Sequence, residues 1–195
     1  MIRERPPYAD ALEEVWACAK RLLSRGVADR RSAFRYPTLA SVDAGGLPRL
    51  RTVVLRHFDP AARCLTIHTD RRSAKIREIR TGMRVALHIY DQAAAIQIRP
   101  DAVASIHLDD PVVQDVWART PLPGRLGYAM DPPPGTPVSV PPEMPGDPEA
   151  GAANLAVLRV TFDRLEWLWL GHDGHRRAAL VWDEADGCGY TWLAP

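Results

Sequence analysis

The chain has 195 residues, of which 46% are hydrophobic and 25% are charged, and its formal net charge is +1. This balance is typical of a folded domain and excludes a disordered chain or a highly charged nucleic-acid-binding tail. No apolar run approaches the ~20 residues that cross a bilayer, and the first ten residues lack the apolar stretch of a signal peptide. We therefore expect a single cytoplasmic domain over residues 1–195, with neither a nucleic acid nor a membrane as partner.

The cysteines and histidines do not predict a metal site. Cys18, Cys64 and Cys188 are widely spaced and form no CxxC pair, so neither zinc nor a disulfide framework is expected. His172 and His175 lie three residues apart in a predicted turn, which offers too few neighbouring ligands for a metal ion.

The first part of the chain changes from a helical to a strand pattern. Apolar residues recur with a 3.6-residue period over 10–25, which predicts an amphipathic helix that Gly26 ends. From Phe34 onwards, β-rich runs separated by turn residues predict strands joined by hairpins. These strands are expected over 34–42, 49–58 and 64–68.

The middle of the chain is predicted to alternate helices with strands. A short helix is expected over 72–81 and another over 109–118, the second capped by Asp109 or Asp110 with Pro111 in its first turn. Pro100 lies within a predicted strand and marks a bulge or a sheet edge there. The expected strands are 85–90, 94–108, 155–170, 176–182 and 188–193.

Ten prolines fall within residues 121–148. At that density we expect no regular element, so residues 119–150 are predicted to be a proline-rich surface loop inserted into the domain. The remaining elements predict a mainly β fold with helical additions, mostly antiparallel, arranged as a small closed or partly open barrel.

Residues 51–75 contain the groups that a phosphate monoester requires. Alternation in the strand places Arg51, Val53 and Leu55 on one face and Val54 on the other. The following TDRRSAK segment (69–75) combines a serine hydroxyl, two cationic side chains and the start of a helix, whose free N–H groups attract anions. The alternative is a capped surface helix with ordinary basic residues.

Two later segments add candidate ligand contacts. In AIQIR (95–99), an amide and a guanidinium share one strand face and could meet the edge of a planar heterocycle, or could simply be solvated. In EWLWLGHDGHRR (166–177), two tryptophans precede a basic hairpin; the alternative is a pair of core tryptophans beside a solvated turn.

Taken in order, these motifs resemble one family. RTVVLR at 51–56, HTDRRSAK at 68–75, IQIR at 96–99 and the Trp…HRR ending are similar to the pyridoxamine 5′-phosphate oxidase family of FMN-binding split barrels. The resemblance covers roughly residues 34–108 and 155–195. It is closest to the oxidase-related FMN-binding proteins.

The resemblance implies FMN as cofactor and assigns a role to each matching residue. It implies that the Arg51 side chain borders the flavin ring and ribityl chain, together with Val53, Val54 and Leu55, which act mainly through their backbone. It implies that His68 and Thr69 lie at the polar edge of the ring. For the FMN phosphate it implies Ser73 and Lys75, with Arg72 assisting. From the neighbouring subunit of a homodimer it implies Gln97, Trp167 and Arg177.

The departures from the family pattern concern the substrate. Ala74 stands where the oxidase has a basic residue directly after the serine that corresponds to Ser73, and Asp173 stands where the oxidase has an arginine. The oxidase's substrate-phosphate segment falls near 117–128, where Arg119, Arg125 and Tyr128 have a different spacing. These changes imply weaker recognition of a phosphorylated pyridine, and a different, less anionic small-molecule substrate.

Three hypotheses follow for function. The chain is an FMN-dependent oxidoreductase of pyridoxamine 5′-phosphate oxidase-like type, for which no catalytic side chain is identified, or it is a non-enzymatic flavin-binding or sensing module. The third hypothesis is a β-barrel interaction domain in which the basic residues of the 69–75 segment are simply solvated. The authentic oxidase is a further alternative. Haem and a deazaflavin are weaker candidates as ligands, considered because relatives of this barrel use them.

Overall fold

The computed structural model describes residues 5–82, 84–183 and 187–195. Its strands are β1 (Thr38–Val42), β2 (Pro48–Thr52), β3 (Leu55–Asp59), β4 (Cys64–Asp70), β5 (Arg84–Asp91), β6 (Ile96–His107), β7 (Leu155–Trp169), β8 (Arg176–Trp182) and β9 (Cys188–Leu193). Its α-helices are α1 (Glu14–Ala28), α2 (Ala74–Gly82), α3 (Pro111–Arg119) and α4 (Leu122–Ala129). Short 3-10 helices occupy Pro7–Asp10, Ala33–Arg35 and Glu149–Asn154.

The strands form one antiparallel sheet in the order β2-β1-β5-β6-β7-β4-β3. The long strand β7 pairs with β6 on one side; on the other it pairs first with β4 and then with β8, which also pairs with β9. The prediction of a mainly β, mostly antiparallel fold with helical additions is therefore confirmed.

The sheet curls around one hydrophobic core. Alternate residues of β1 and β3–β8 are buried in a single cluster that also includes α1 and α2. Trp16 of α1 makes edge-to-face contacts with Phe58, Phe162 and Trp182, at ring-centroid distances of 6.4, 6.2 and 5.1 Å. Such aromatic pairs stabilise the helix–sheet contact beyond the area that they bury.

The predicted strand 49–58 is wrong, because the chain divides there into β2 and β3. β2 pairs with β1, whereas β3 pairs with β4. Between them the Val53 N–H donates to the Pro37 carbonyl at 2.9 Å, so the backbone leaves one ladder before it joins the next. A continuous β-rich run contains no signal for this change of partner.

The first helix begins and ends later than predicted, and Gly26 lies inside it rather than at its end. A Cβ at Gly26 would lie 2.5 Å from the Phe34 carbonyl oxygen. This glycine therefore permits close approach between α1 and the segment that follows it, and does not stop the helix.

The proline-rich segment contains a helix that we did not predict. α4 begins directly after Pro121, and Pro123 lies in its first turn, where proline's missing N–H costs nothing. Residues 131–148 form no helix or strand. Elsewhere the proline and aspartate predictions are confirmed: the β6–β7 register shifts beside Pro100, between Asp101 and Ala102, and the Asp110 side chain caps α3 by accepting from the Val113 N–H.

Candidate functional site

A cluster of hydroxyls and cations lies where β4 passes into α2. Lys75 Nζ donates to Thr69 Oγ1 at 2.8 Å and to Ser73 Oγ at 3.1 Å, and Ser73 Oγ donates to the Asp70 carbonyl at 2.7 Å. Ser73 and Thr69 are 5% and 7% exposed, so the loop holds them in fixed positions. We call Arg51, Thr69, Ser73 and Lys75 the clamp.

The clamp contains two cations, and the nearby Asp70 and Glu78 carboxylates partly offset the effects that lower the pKa of Lys75. Burial lowers the pKa of Lys75, and the nearby positive charge of Arg51 lowers it further. Arg51 donates to Glu78 Oε2 and to Ser41 Oγ, both at 2.5 Å, which fixes the guanidinium beside β1. Within the described part of the chain, the Lys75 ammonium bonds only to hydroxyls. A bound anion at this point would stabilise both cations and accept from the Thr69 hydroxyl, and it would accept from Ser73 if that hydroxyl turned away from the Asp70 carbonyl.

Arg72 already has strong partners. Its guanidinium forms a salt bridge with Asp70 at 2.6 Å and donates to the Tyr128 and Met130 carbonyls at 3.3 and 2.9 Å. These contacts tie the start of α2 to the end of α4. Its role as a phosphate helper stays a prediction, and it requires Arg72 to share its donors.

A cavity of about 1140 Å³ lies between the outer face of β3, β4 and β7 and the helices α3 and α4. Val54 and His68 line it, whereas Thr69 of the clamp, the next residue along β4, points to the opposite face of the sheet. Burial, with a smaller contribution from the charge of Arg56, lowers the pKa of His68 to about 4. The imidazole that faces the cavity is therefore neutral at pH 7.

The other predicted ring contacts face the core. Val53 and Leu55 are 7% and 0% exposed and belong to the hydrophobic cluster. Their side chains are thus not available to a ligand. This arrangement agrees with a role through backbone groups, which the resemblance implies for them.

Gln97, Trp167 and Arg177 lie apart from both the clamp and the cavity. Gln97 Oε1 is 3.0 Å from His88 Nε2, and Arg177 donates to Glu166 Oε2 at 2.7 Å. Trp167 is fully buried and packs edge-on against Tyr8. Within one chain the structure does not bring these three residues to the clamp, so contact with a second subunit's cofactor stays a prediction.

The segment that departs from the family pattern forms one side of the cavity. Arg119 and Tyr128 line it. Arg125 does not; its guanidinium contacts Glu149 and donates to the Thr120 carbonyl at 2.8 Å. The other departure, Asp173, forms a salt bridge of 2.5 Å with Arg5, so its charge is paired with the N-terminal segment.

The sequence analysis missed several cavity residues. Regular alternation along the strand would put Arg56 on the same face as Phe58, whereas Phe58 is buried and both Arg56 and His57 are exposed. The reason is a register shift between Leu55 and His57. Arg30 and Arg159 also line the cavity, and isolated arginines carry no pattern that would have indicated this.

The structure thus combines a curled antiparallel sheet, a cluster of hydroxyls and cations at a helix start, and a large cavity on the outer face of the sheet. Residues 14–107 match the family model described as the FMN-binding domain of pyridoxamine 5′-phosphate oxidase. Residues 14–107 are therefore similar to the FMN-binding domain of this family, and the family resemblance expected from the motifs is confirmed. No curated protein sequence matches the chain.

Solved structures extend the similarity of fold to the whole chain. A pyridoxamine 5′-phosphate oxidase-related, FMN binding protein from Nostoc punctiforme PCC 73102 is 22% identical, with a TM-score of 0.76 over 99% of this chain and 100% of that one. PhzG from Burkholderia lata 383, solved in complex with tetrahydrophenazine-1-carboxylic acid, is 19% identical, with a TM-score of 0.73 over 100% and 99%. At this identity, the likeness establishes the split-barrel fold.

Two features are absent from the part of the chain that the structure describes. Among residues 5–82, 84–183 and 187–195, no helix is both long and apolar enough to span a membrane. In the same residues, no group of three or more His, Cys, Asp or Glu side chains is arranged to hold a metal ion.

Proposed function

We propose that this chain binds FMN through the clamp and acts as an oxidoreductase on a small molecule held in the cavity that Val54 and His68 line. The observation that carries the proposal is the Lys75 ammonium, half-buried and bonded to two hydroxyls beside a second cation. The matched FMN-binding domain covers every residue of the clamp.

The donor set of the clamp fits the FMN phosphate. A phosphate dianion accepts hydrogen bonds from ammonium, guanidinium and hydroxyl groups and favours the N-terminus of a helix. Ser73 lies immediately before α2 and Lys75 in its first turn. These two residues and Arg51 would bind the phosphate, and Arg72 would assist if it shared its donors with Asp70.

When bound, FMN supplies two-electron chemistry, because its ring accepts and donates a hydride. The residues of this chain bind and orient the reactants. Val54 and His68 would face the ring from the cavity side, and the backbone of residues 53–55 would border it. His68 contributes a neutral imidazole that can donate or accept one hydrogen bond without adding charge. α3 and α4 would restrict the access of water.

We also propose a homodimer in which Gln97, Trp167 and Arg177 contact the cofactor of the second subunit. Gln97 and Arg177 are partly exposed and lie on neighbouring strands flanking β7, since both pair with Leu168. Trp167 is fully buried, so it would act by supporting these strands unless the interface rearranges. Sedimentation of the FMN-loaded protein tests this part, and a monomer that retains FMN at micromolar concentration would exclude it.

A non-enzymatic flavin-binding module has the same clamp and is the second candidate. To distinguish the oxidoreductase from the binding module, NAD(P)H or candidate small-molecule reductants are added to the FMN-loaded protein, and the flavin absorption band is followed. Bleaching of the band followed by reoxidation, over many cycles, supports the oxidoreductase. A stable band with every reductant supports the binding module.

A further inference from the structure

Three side chains at the clamp form a closed hydrogen-bonded ring. The Arg51 guanidinium donates to Glu78 Oε2 and to Ser41 Oγ, and Ser41 Oγ donates to Glu78 Oε2, all at 2.5 Å. Ser41, Arg51 and Glu78 lie on β1, β2 and α2. Ser41 and Glu78 are 4% and 9% exposed, so water has little access to the carboxylate.

Glu78 also acts on the other cation of the clamp. It follows Lys75 by three residues in α2, so the two side chains are neighbours on one face of the helix. Burial and the charge of Arg51 lower the pKa of Lys75, and the Asp70 and Glu78 carboxylates oppose this effect. Asp70 is engaged by Arg72 in a salt bridge of 2.6 Å. Within the described part of the chain, Glu78 forms an ion pair with Arg51 alone.

The charges at the clamp are therefore only partly balanced. Arg51 and Lys75 contribute two positive charges, and Glu78 contributes one negative charge. Removing one partner of a buried ion pair is strongly destabilising, because the other charge is left uncompensated. Loss of the Glu78 charge would thus leave both cations of the clamp without it.

A bound phosphate changes the effect of that loss. A phosphate dianion supplies negative charge to the same two cations, and a neighbouring carboxylate repels it. Loss of the Glu78 charge should therefore destabilise the FMN-free protein more than the FMN-bound protein. By thermodynamic linkage, a change that destabilises mainly the free state strengthens binding.

We propose that Glu78 is an internal counter-ion, which balances the clamp in the FMN-free protein and lowers its affinity for the FMN phosphate. This inference rests on the proposed function, because it concerns the phosphate site of the same cofactor. Glu78 does not need to contact FMN, since it acts through Arg51 and Lys75. The carboxylate lets the chain fold stably before FMN binds and makes FMN easier to release.

Glu78→Gln tests the proposal, because glutamine has a similar shape and can still accept hydrogen bonds from Arg51 and Ser41, but carries no charge. The FMN-free full-length protein is titrated with FMN and with riboflavin, and flavin fluorescence is followed. We expect the Kd for FMN to fall roughly 10-fold, the effect of one charge-assisted contact, and the Kd for riboflavin to stay unchanged. The thermal midpoint of the FMN-free variant should be lower than that of the wild-type protein.

Two further variants separate charge from packing. Glu13→Gln removes an exposed carboxylate just before α1 and should change neither Kd. Ser41→Ala opens the ring but keeps the Glu78 charge, so it should not strengthen FMN binding.

Three results would each overturn the inference. They are FMN binding that is unchanged or weaker in Glu78→Gln, an equal change in riboflavin binding, and tighter FMN binding in Ser41→Ala. If Glu78→Gln is unfolded on its own, saturating FMN is expected to refold it, as judged by circular dichroism. A variant that stays unfolded with FMN would also overturn the inference.

Inorganic phosphate keeps this inference distinguishable from the proposed function. If the wild-type protein takes up no FMN, the proposed cofactor is wrong, and phosphate then decides whether Glu78 is a counter-ion. Compared with chloride at equal ionic strength, phosphate should raise the thermal midpoint of Glu78→Gln more than that of the wild-type protein. An equal rise in both proteins, or no rise, would overturn the inference. FMN binding that Glu78→Gln does not alter leaves the proposed function standing and removes the inference.

Discussion

Replacing Lys75 by methionine is expected to weaken FMN binding without destabilising the FMN-free protein. The ammonium donates to Thr69 and Ser73 and has a pKa lowered mainly by burial. Burying the charged ammonium without a bound anion therefore costs free energy in the FMN-free protein. Methionine fills a similar volume without that cost. The lost charge-assisted contact with phosphate is worth about 1.5–3 kcal/mol, or roughly a 10- to 150-fold higher Kd.

The assay is fluorescence titration of the FMN-free protein with FMN and with riboflavin, which lacks the phosphate. We expect Lys75→Met to weaken FMN binding alone and to leave the thermal midpoint of the FMN-free protein unchanged or higher. Arg80→Ala, which removes an exposed cation from the same helix, is the matched control. Unchanged FMN affinity in Lys75→Met, or an equal loss of riboflavin affinity, would refute the assignment of Lys75 to the phosphate.

Three further predictions concern pH, packing and substrate. Because His68 has a pKa of about 4 in the folded chain against an ordinary 6.5, the unfolded state binds more protons between these two pH values. The free energy of unfolding should therefore fall as pH falls through this window, by about 3 kcal/mol, and His68→Gln should flatten that slope in urea titrations. Gly26→Ala places a methyl group 2.5 Å from the Phe34 carbonyl oxygen, and should lower the free energy of unfolding by about 1–3 kcal/mol, whereas an unchanged denaturation midpoint would show that α1 shifts freely. With pyridoxamine 5′-phosphate, the FMN-saturated protein should show a kcat/KM below ~10⁴ M⁻¹s⁻¹, and a higher value in a pyridoxal phosphate assay would identify it as the authentic oxidase.

Local patterns predicted most of the elements. Alternation and turn residues located most of the strands, and Asp110 and Pro111 defined the start of α3, because these signals depend on a few neighbouring residues. The division between β2 and β3 was missed because it depends on the Val53 N–H finding the Pro37 carbonyl. That contact belongs to the tertiary structure.

The candidate site was predicted unevenly for a similar reason. Ser73 and Lys75 stand in a short motif, and the structure brings them together with Thr69. Arg56 and His57 both face the cavity because of a bulge that the regular alternation of Arg51–His57 does not reveal. The proposed cofactor contacts of Gln97, Trp167 and Arg177 rest on the family resemblance. Within one chain, these residues lie away from the clamp.

The central claim is that this chain holds FMN, and the most direct measurement is the mass of whatever small molecule the purified protein releases. The protein is purified, its absorption spectrum is recorded, and the ligand released by denaturation is identified by mass spectrometry. We predict a flavin absorption band and release of FMN, with uptake of added FMN approaching one molecule per chain. Release of haem or a deazaflavin, or no uptake of FMN at micromolar concentrations, would contradict the account.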